Sequence, residues 1–167
     1  MDLVLRDGFV KCFPFCYAEH FFKQRWLSSR PHLRVLVQDD KKCIVGNVSI
    51  VIRDVFVGDS KLIVKVAGIQ GVFIYPKLRG TGLGHKIMKK AMLVAYEQDR
   101  DIGLLFCYPY FENYYKRIKW RKIETNISMQ NEQGDIVLIP SDNISMICSL
   151  KKNNFPPGDI YLNGADW

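Results

Sequence analysis

Apolar positions along the chain follow two different periods. LRVLVQ (33–38), CIVGNVSIVIRDVFV (43–57) and KLIVKVAGIQGVFIY (61–75) are rich in Val and Ile. Short polar turns, Asp39-Asp40-Lys41-Lys42 and Gly58-Asp59-Ser60, join them, so the three read as an antiparallel strand meander. Alternation is clearest at Ile50, Ile52, Val55 and Val57, with a phase slip near Asp54. From 83 to 98 the period becomes helical, because Leu83, Ile87, Met88, Ala91, Val94 and Ala95 share one face. Residues 17–28 also look helical through Phe21, Phe22, Trp26 and Leu27, and Ser28, Ser29 and Pro31 end that pattern. IGLLFCYPY (102–110) is short enough for a buried strand, and FENYYKRIK (111–119) suits a short helix. WRKIETNISMQ (120–130), GDIVLIP (134–140) and NISMICSL (143–150) read as strands. The tail 151–167, with Asn154, Pro156, Pro157 and Gly158, is expected to be irregular. The order helix, meander, helix, strand, helix, strands implies a mixed α/β fold with one dominant sheet.

Composition narrows the class. A chain of 167 residues fits a single domain spanning 1–167. With 48% hydrophobic and 25% charged residues it is neither disordered nor collagen-like nor a coiled coil. No apolar run approaches the ~18 residues that span a bilayer, and Asp2 spoils the layout of a signal peptide. The cytoplasm is therefore the expected location, with no membrane partner. A net charge of +7 favours anionic partners. Nucleic acid is disfavoured, since no basic–aromatic interleaving is present. Cys12, Cys16, Cys43, Cys107 and Cys148 are odd in number and irregularly spaced. They predict buried free thiols rather than a disulfide framework, and no metal site.

The stretch Val72-Phe73-Ile74-Tyr75-Pro76-Lys77-Leu78-Arg79-Gly80-Thr81-Gly82-Leu83-Gly84 runs from strand through turn into helix. Glycines let backbone amides approach an anion, and the helix start adds free N–H groups and a positive dipole end. Between 77 and 90 the charged residues are Lys77, Arg79, Lys86, Lys89 and Lys90, with no acid. Together these point to a phosphate or diphosphate site. The Walker pattern GxxxxGK[ST] is absent, and the spacing GxGxG does not meet the dinucleotide fingerprint GxGxxG.

What remains is Arg-x-x-Gly-x-Gly after an apolar strand and a proline. With Pro76, Arg79, Gly82 and Gly84 in place, this loop resembles the coenzyme loop of the GNAT N-acetyltransferase superfamily. A second landmark of that family, a short helix reading L-Y-x-R-x-G-[FW], resembles Tyr114-Tyr115-Lys116-Arg117-Ile118-Lys119-Trp120, with Lys119 in place of the glycine. Within the superfamily the chain is similar to the aminoglycoside 2'-N-acetyltransferase branch. The similarity rests on 46–62, Ile69-Gln70-Gly71-Val72, 134–140, Met146-Ile147-Cys148 and Trp167. In that branch a Glu lies six residues before the proline, where this chain has Gln70.

The resemblance implies a GNAT-like fold, a mostly antiparallel sheet with a splayed strand pair flanked by helices. It also implies acetyl-CoA as co-substrate and a primary amine of a small molecule as acceptor, aminoglycoside-like in that branch. A peptide or protein amine is the alternative, as is a coenzyme-binding module that has lost catalysis. A homodimer is compatible with it. Coenzyme contacts would come from Val72, Phe73, Ile74, Arg79, Gly80, Thr81, Gly82, Leu83 and Gly84. Tyr115 would protonate the leaving thiolate, and Gln70 would orient a water. The acceptor side would draw on Asp54, Tyr108, Glu112, Asp166 and Trp167. The base stays open among Asp54, Glu112, Asp166 and the terminal carboxylate of Trp167.

Overall fold

The computed structural model describes residues 2–13, 29–140, 142–151 and 154–167, so the helix expected over 17–28 lies outside the described residues. The meander forms as expected from β1 (Leu33–Gln38), β2 (Ile44–Val57) and β3 (Leu62–Ile74). Its first turn is held by Asp39, whose carboxylate accepts from the amides of Lys41 at 3.0 Å and Cys43 at 2.8 Å. The rest of the chain supplies α2 (Leu83–Glu97), β4 (Ile102–Cys107), α3 (Glu112–Lys116), β5 (Arg121–Ile123), β6 (Ile127–Gln130), β7 (Ile136–Leu138), β8 (Ile144–Ser149) and β9 (Ile160–Tyr161). One sheet runs β5-β8-β4-β3-β2-β9-β6-β7, with β1 also on β2. Among the described strand pairs, β3–β4 and β6–β9 are parallel and the rest antiparallel.

Helix α1 (Asp2–Cys12) was not legible in the pattern. It buries Leu5 and Phe9, one helical turn apart, against Ile44 of β2 and Phe73 of β3. The phase slip expected near Asp54 is not a break either: the β2–β3 ladder is regular from Ser49↔Gln70 to Val57↔Leu62. Both faces of β2 are covered. Val48, Ile50 and Ile52 pack under α2, while Val51, Val55 and Val57 face a second core with Val64, Leu104 and Trp167. Burial on both sides removes the alternation.

Two further expectations are corrected. The strand foreseen over 102–110 ends at Cys107, and Pro109–Phe111 form a 3-10 turn because Pro109 has no N–H for a ladder. The tail is ordered rather than irregular. It pairs Ile160 and Tyr161 with β2 and β6, and it buries Leu162 and Trp167. Among the cysteines, Cys12, Cys43, Cys107 and Cys148 are free thiols, but only Cys107 is buried and Cys43 is exposed; Cys16 lies outside the described residues.

The feature that positions the site is a divergence of two strands. β3 and β4 pair from Val66↔Ile102 to Ile69↔Leu105 and then separate. β3 continues on β2 to Ile74, and β4 continues on β8 to Cys107. The separation starts where β3 carries one residue too many: Asn47↔Phe73 is followed by Ser49↔Gln70. This bulge contains Gly71, whose φ of 59° is the left-handed conformation that a bulge favours.

Candidate active site

The floor of the candidate site is the turn after β3. A 3-10 turn at Pro76–Leu78 closes with the Arg79 amide donating to the Pro76 carbonyl at 3.2 Å. Gly80 (φ 80°) and Gly82 (φ 79°) then turn the chain into α2. A Cβ on either glycine would meet nothing within 4 Å, so backbone conformation and not crowding requires them. The first amide used after the turn is Lys86, which donates to Gly82 O at 3.1 Å. Among the described residues, the amides of Gly80, Thr81, Gly82, Leu83, Gly84 and His85 have no acceptor. These donors face the positive end of a 15-residue helix. Exposed Lys77, Lys86, Lys89 and Lys90 flank them without an acidic partner among the described residues. The donor set suits a diphosphate. Arg79 is corrected in one respect: its amide is used in the turn, and its Nε donates to Ile74 O at 3.2 Å, so its side chain folds back over the strand end.

The walls are the separated strands. Tyr75 N donates to Val45 O at 2.9 Å, and Ile74 stands opposite Gly46. In an antiparallel ladder that places the main-chain groups of Phe73 and Tyr75 toward β2, and those of Val72 and Ile74 toward the gap. Phe73, expected among the coenzyme contacts, therefore has its main chain engaged with β2. Its ring packs edge-on to Phe9 at 5.3 Å. Ile74 O accepts from Arg79 and from Cys12 Sγ at 3.6 Å. The Val72 groups and the Ile74 amide line an edge that no described strand covers.

Opposite this edge stands α3. Tyr115 is buried at 8% exposure, in one cluster with Ile74 and Cys107 from the two lips of the gap. Its hydroxyl makes no hydrogen bond among the described residues. Burial pushes its pKa well above that of a free phenol, with Cys107 and Tyr114 adding to the rise. A raised phenol stays protonated at neutral pH and can act as a donor. The Cys107 thiol is also pushed up by burial, to about 11. Tyr114, not singled out by sequence, sits against the helix start: a Cβ at Gly84 would lie 2.7 Å from its hydroxyl.

The other face of the gap is a set of long-range contacts that no local pattern displays. Gln70 is 6% exposed, and its Nε2 donates to Ser29 O at 2.6 Å. Ser29 N donates to Asp166 O at 3.1 Å. Arg53 donates to Ser29 Oγ at 2.8 Å and to the Ala165 carbonyl, and its guanidinium lies 5.4 Å from the Trp167 ring. Trp167 lies against Gly68, with Nε1 donating to Leu104 O at 3.1 Å. Asn47 is fully buried. Its Nδ2 donates to Gly71 O at 2.7 Å and to Ser49 Oγ at 3.1 Å, and its Oδ1 has no partner among the described residues.

Residues 7–123 match the family model described as an acetyltransferase (GNAT) domain. The chain belongs to the GNAT acetyltransferase family. An uncharacterized N-acetyltransferase of Archaeoglobus fulgidus is 33% identical over 89 residues, a match spanning 53% of this chain and 57% of that relative. The chain thus spans little more than half the length of that relative. Two solved structures share the fold. A GNAT family N-acetyltransferase (YhbS) from Escherichia coli, in complex with CoA, has a TM-score of 0.61 at 14% identity, covering 97% of this chain and 82% of that one. The ribosomal-protein-S18-alanine N-acetyltransferase of Escherichia coli has a TM-score of 0.62 at 10% identity, covering 92% and 90%.

In this GNAT chain the candidate acids and rings of the acceptor side stand in different places. Asp54 pairs with Lys65 in the ladder and with the Arg100 guanidinium at 3.1 Å, which puts it at the far end of β3 from the gap. The structure does not bring it to the site. Glu112 stands at the start of α3 and is bound to Lys116 at 2.7 Å, which lowers its pKa. Asp166 faces Arg53. Tyr108 stacks on Tyr110 at 5.5 Å beside the gap. Among the described residues, no group of three His, Cys, Asp or Glu could hold a metal.

Proposed function

We propose that this chain transfers an acetyl group from acetyl-CoA to a primary amine of a small molecule, in the cytoplasm. The observation that supports it most is the run of unengaged amides from Gly80 to His85 beside a half-open edge of β3. Acetyl-CoA, when bound, supplies the activated acyl group. The amides and neighbouring lysines hold its diphosphate, and the main chain of Val72 and Ile74 takes its extended arm as an added strand would be taken. The Ile74 amide donates to the acyl oxygen as negative charge develops there. Tyr115 holds a proton for the departing sulfur. Gln70, fixed by Ser29, offers its Oε1 to the attacking amine and cannot take its proton.

Because Gln70 cannot take a proton, the amine must attack in its neutral form and release its proton to solvent, so the rate should rise with pH through the pKa of the amine itself. The test is titration calorimetry with acetyl-CoA, followed by thiol release with an amine panel against pH. Coenzyme binding and a rate that tracks each amine's own pKa support the reading. Coenzyme binding without turnover of any amine favours a binding module, for which Gln70 in the place of the branch's Glu is the specific sign. No binding removes both.

A further inference from the structure

Among the described residues, the acceptor side of the gap carries several aromatic rings, and its side-chain carboxylates stand beside cations. Where β4 ends, Tyr108 and Tyr110 stack at 5.5 Å with 16° between their planes, and Phe111 lies 4.4 Å from Tyr110. Tyr110 is 72% exposed and Phe111 45%. Alternation places Tyr108 on the face of Phe106, whose ring is 5.7 Å from Trp167. Exposed rings grouped at a cleft signal a ligand rather than a core.

Described side-chain carboxylates around the gap stand beside cations. Asp7 is held by Lys11 at 2.6 Å and by the Tyr75 hydroxyl, Glu112 is held by Lys116, and Asp166 lies within the electrostatic reach of Arg53. Asp54 is at the far end of its strand with Arg100. A polycation would compete with Lys11, Lys116 and Arg53 for these acids, on a chain whose own charge is +7.

Building on the acetyltransferase reading above, we propose that the acceptor is a monoamine on an aromatic body, an arylalkylamine, whose ring lies against Tyr108 and Tyr110 while its amine reaches the gap. The test uses the whole chain with acetyl-CoA and three amines: phenethylamine, n-hexylamine and spermidine. Coenzyme affinity is measured first by calorimetry. Phenethylamine should exceed spermidine in kcat/KM by about tenfold or more, the order expected for one well-placed ring contact plus its burial. Tyr110→Ala, at an exposed position, should raise KM for phenethylamine by roughly tenfold. It should leave the hexylamine rate and coenzyme affinity within about twofold. Spermidine turned over as well as phenethylamine overturns the proposal. So does a Tyr110→Ala effect that is absent or equal for all three amines, and so does coenzyme binding with no turnover of any of them. Absence of coenzyme binding, seen before any amine is added, is the distinct failure of the underlying reading and takes this proposal with it.

Discussion

The two halves of β3 obey different rules. From Val66 to Ile69 the strand is laddered on both edges, to β2 and to β4, and its side chains fill two cores. From Gln70 to Ile74 it keeps only β2 among the described strands, carries a left-handed glycine in a bulge, and lies beside a buried amide oxygen, Asn47 Oδ1, that has no partner among the described residues. A strand with every main-chain group paired has none to offer a ligand. The bulge and its left-handed glycine leave the irregular half with fewer ladder partners than its neighbour. It persists because the regular half and α1 fix it from both sides. Stability and binding are thus separated along one strand, and substitutions can address each half alone.

The largest effect is expected opposite the irregular half. Tyr115→Phe removes a hydroxyl that makes no hydrogen bond among the described residues, so stability should change by less than about 1 kcal/mol. If the hydroxyl delivers the proton to sulfur, kcat should fall on the order of 10²-fold. Single-turnover thiol release and thermal unfolding of the same sample check both. An unchanged kcat would make Tyr115 a packing residue.

The regular half should respond in the opposite way. At Gly68 an added Cβ would lie 2.3 Å from the Trp167 ring, so Gly68→Ala must push that indole off the sheet. Overpacking of this kind costs about 2 kcal/mol. The Trp167–Leu104 hydrogen bond would be strained with it. Urea unfolding should show the loss, while coenzyme affinity per folded molecule should hold.

Gly82→Ala reverses that contrast at a smaller scale. The new methyl meets nothing, but φ of 79° costs a residue with Cβ about 1–2 kcal/mol. If the turn relaxes to escape the strain, its amides lose their common direction, and the coenzyme Kd should rise roughly tenfold. A Kd within a factor of two of wild type would mean that these amides do not carry the diphosphate.

What could be read from sequence follows the range of the interactions. The meander, α2, the glycine turn and the Tyr115 helix are set by neighbours a few residues apart, so period and spacing reveal them. The engagement of Gln70 is not of that kind. It depends on Ser29 and, through it, on Asp166, Ala165 and Arg53, which are far apart along the chain. The tail with Asn154, Pro156 and Pro157 looks irregular locally, yet Leu162 and Trp167 are drawn into the core. Asp54 is an acid of the right type for the acceptor side. Ladder register alone shows that it stands at the wrong end of its strand.

The smallest effect concerns a residue that departs from its family's glycine. Lys119 has φ of 68°; its amide donates to Lys116 O at 3.1 Å and that of Trp120 to Tyr115 O at 3.1 Å. This is the paired-bond cap that ends helices on a left-handed residue, and the accompanying apolar contact is Tyr115 against Trp120 at 6.0 Å. Glycine suits that place, and lysine holds it under strain. Lys119→Gly should therefore stabilise the fold by up to about 1 kcal/mol, partly offset by the greater freedom of glycine in the unfolded chain. The cap also fixes the helix that carries Tyr115, so kcat should be unchanged or slightly higher. Urea unfolding decides the matter. A loss of stability would show that the lysine side chain contributes more than its backbone strain costs, and the helix holding Tyr115 would then be set by a contact of Lys119 rather than by the cap.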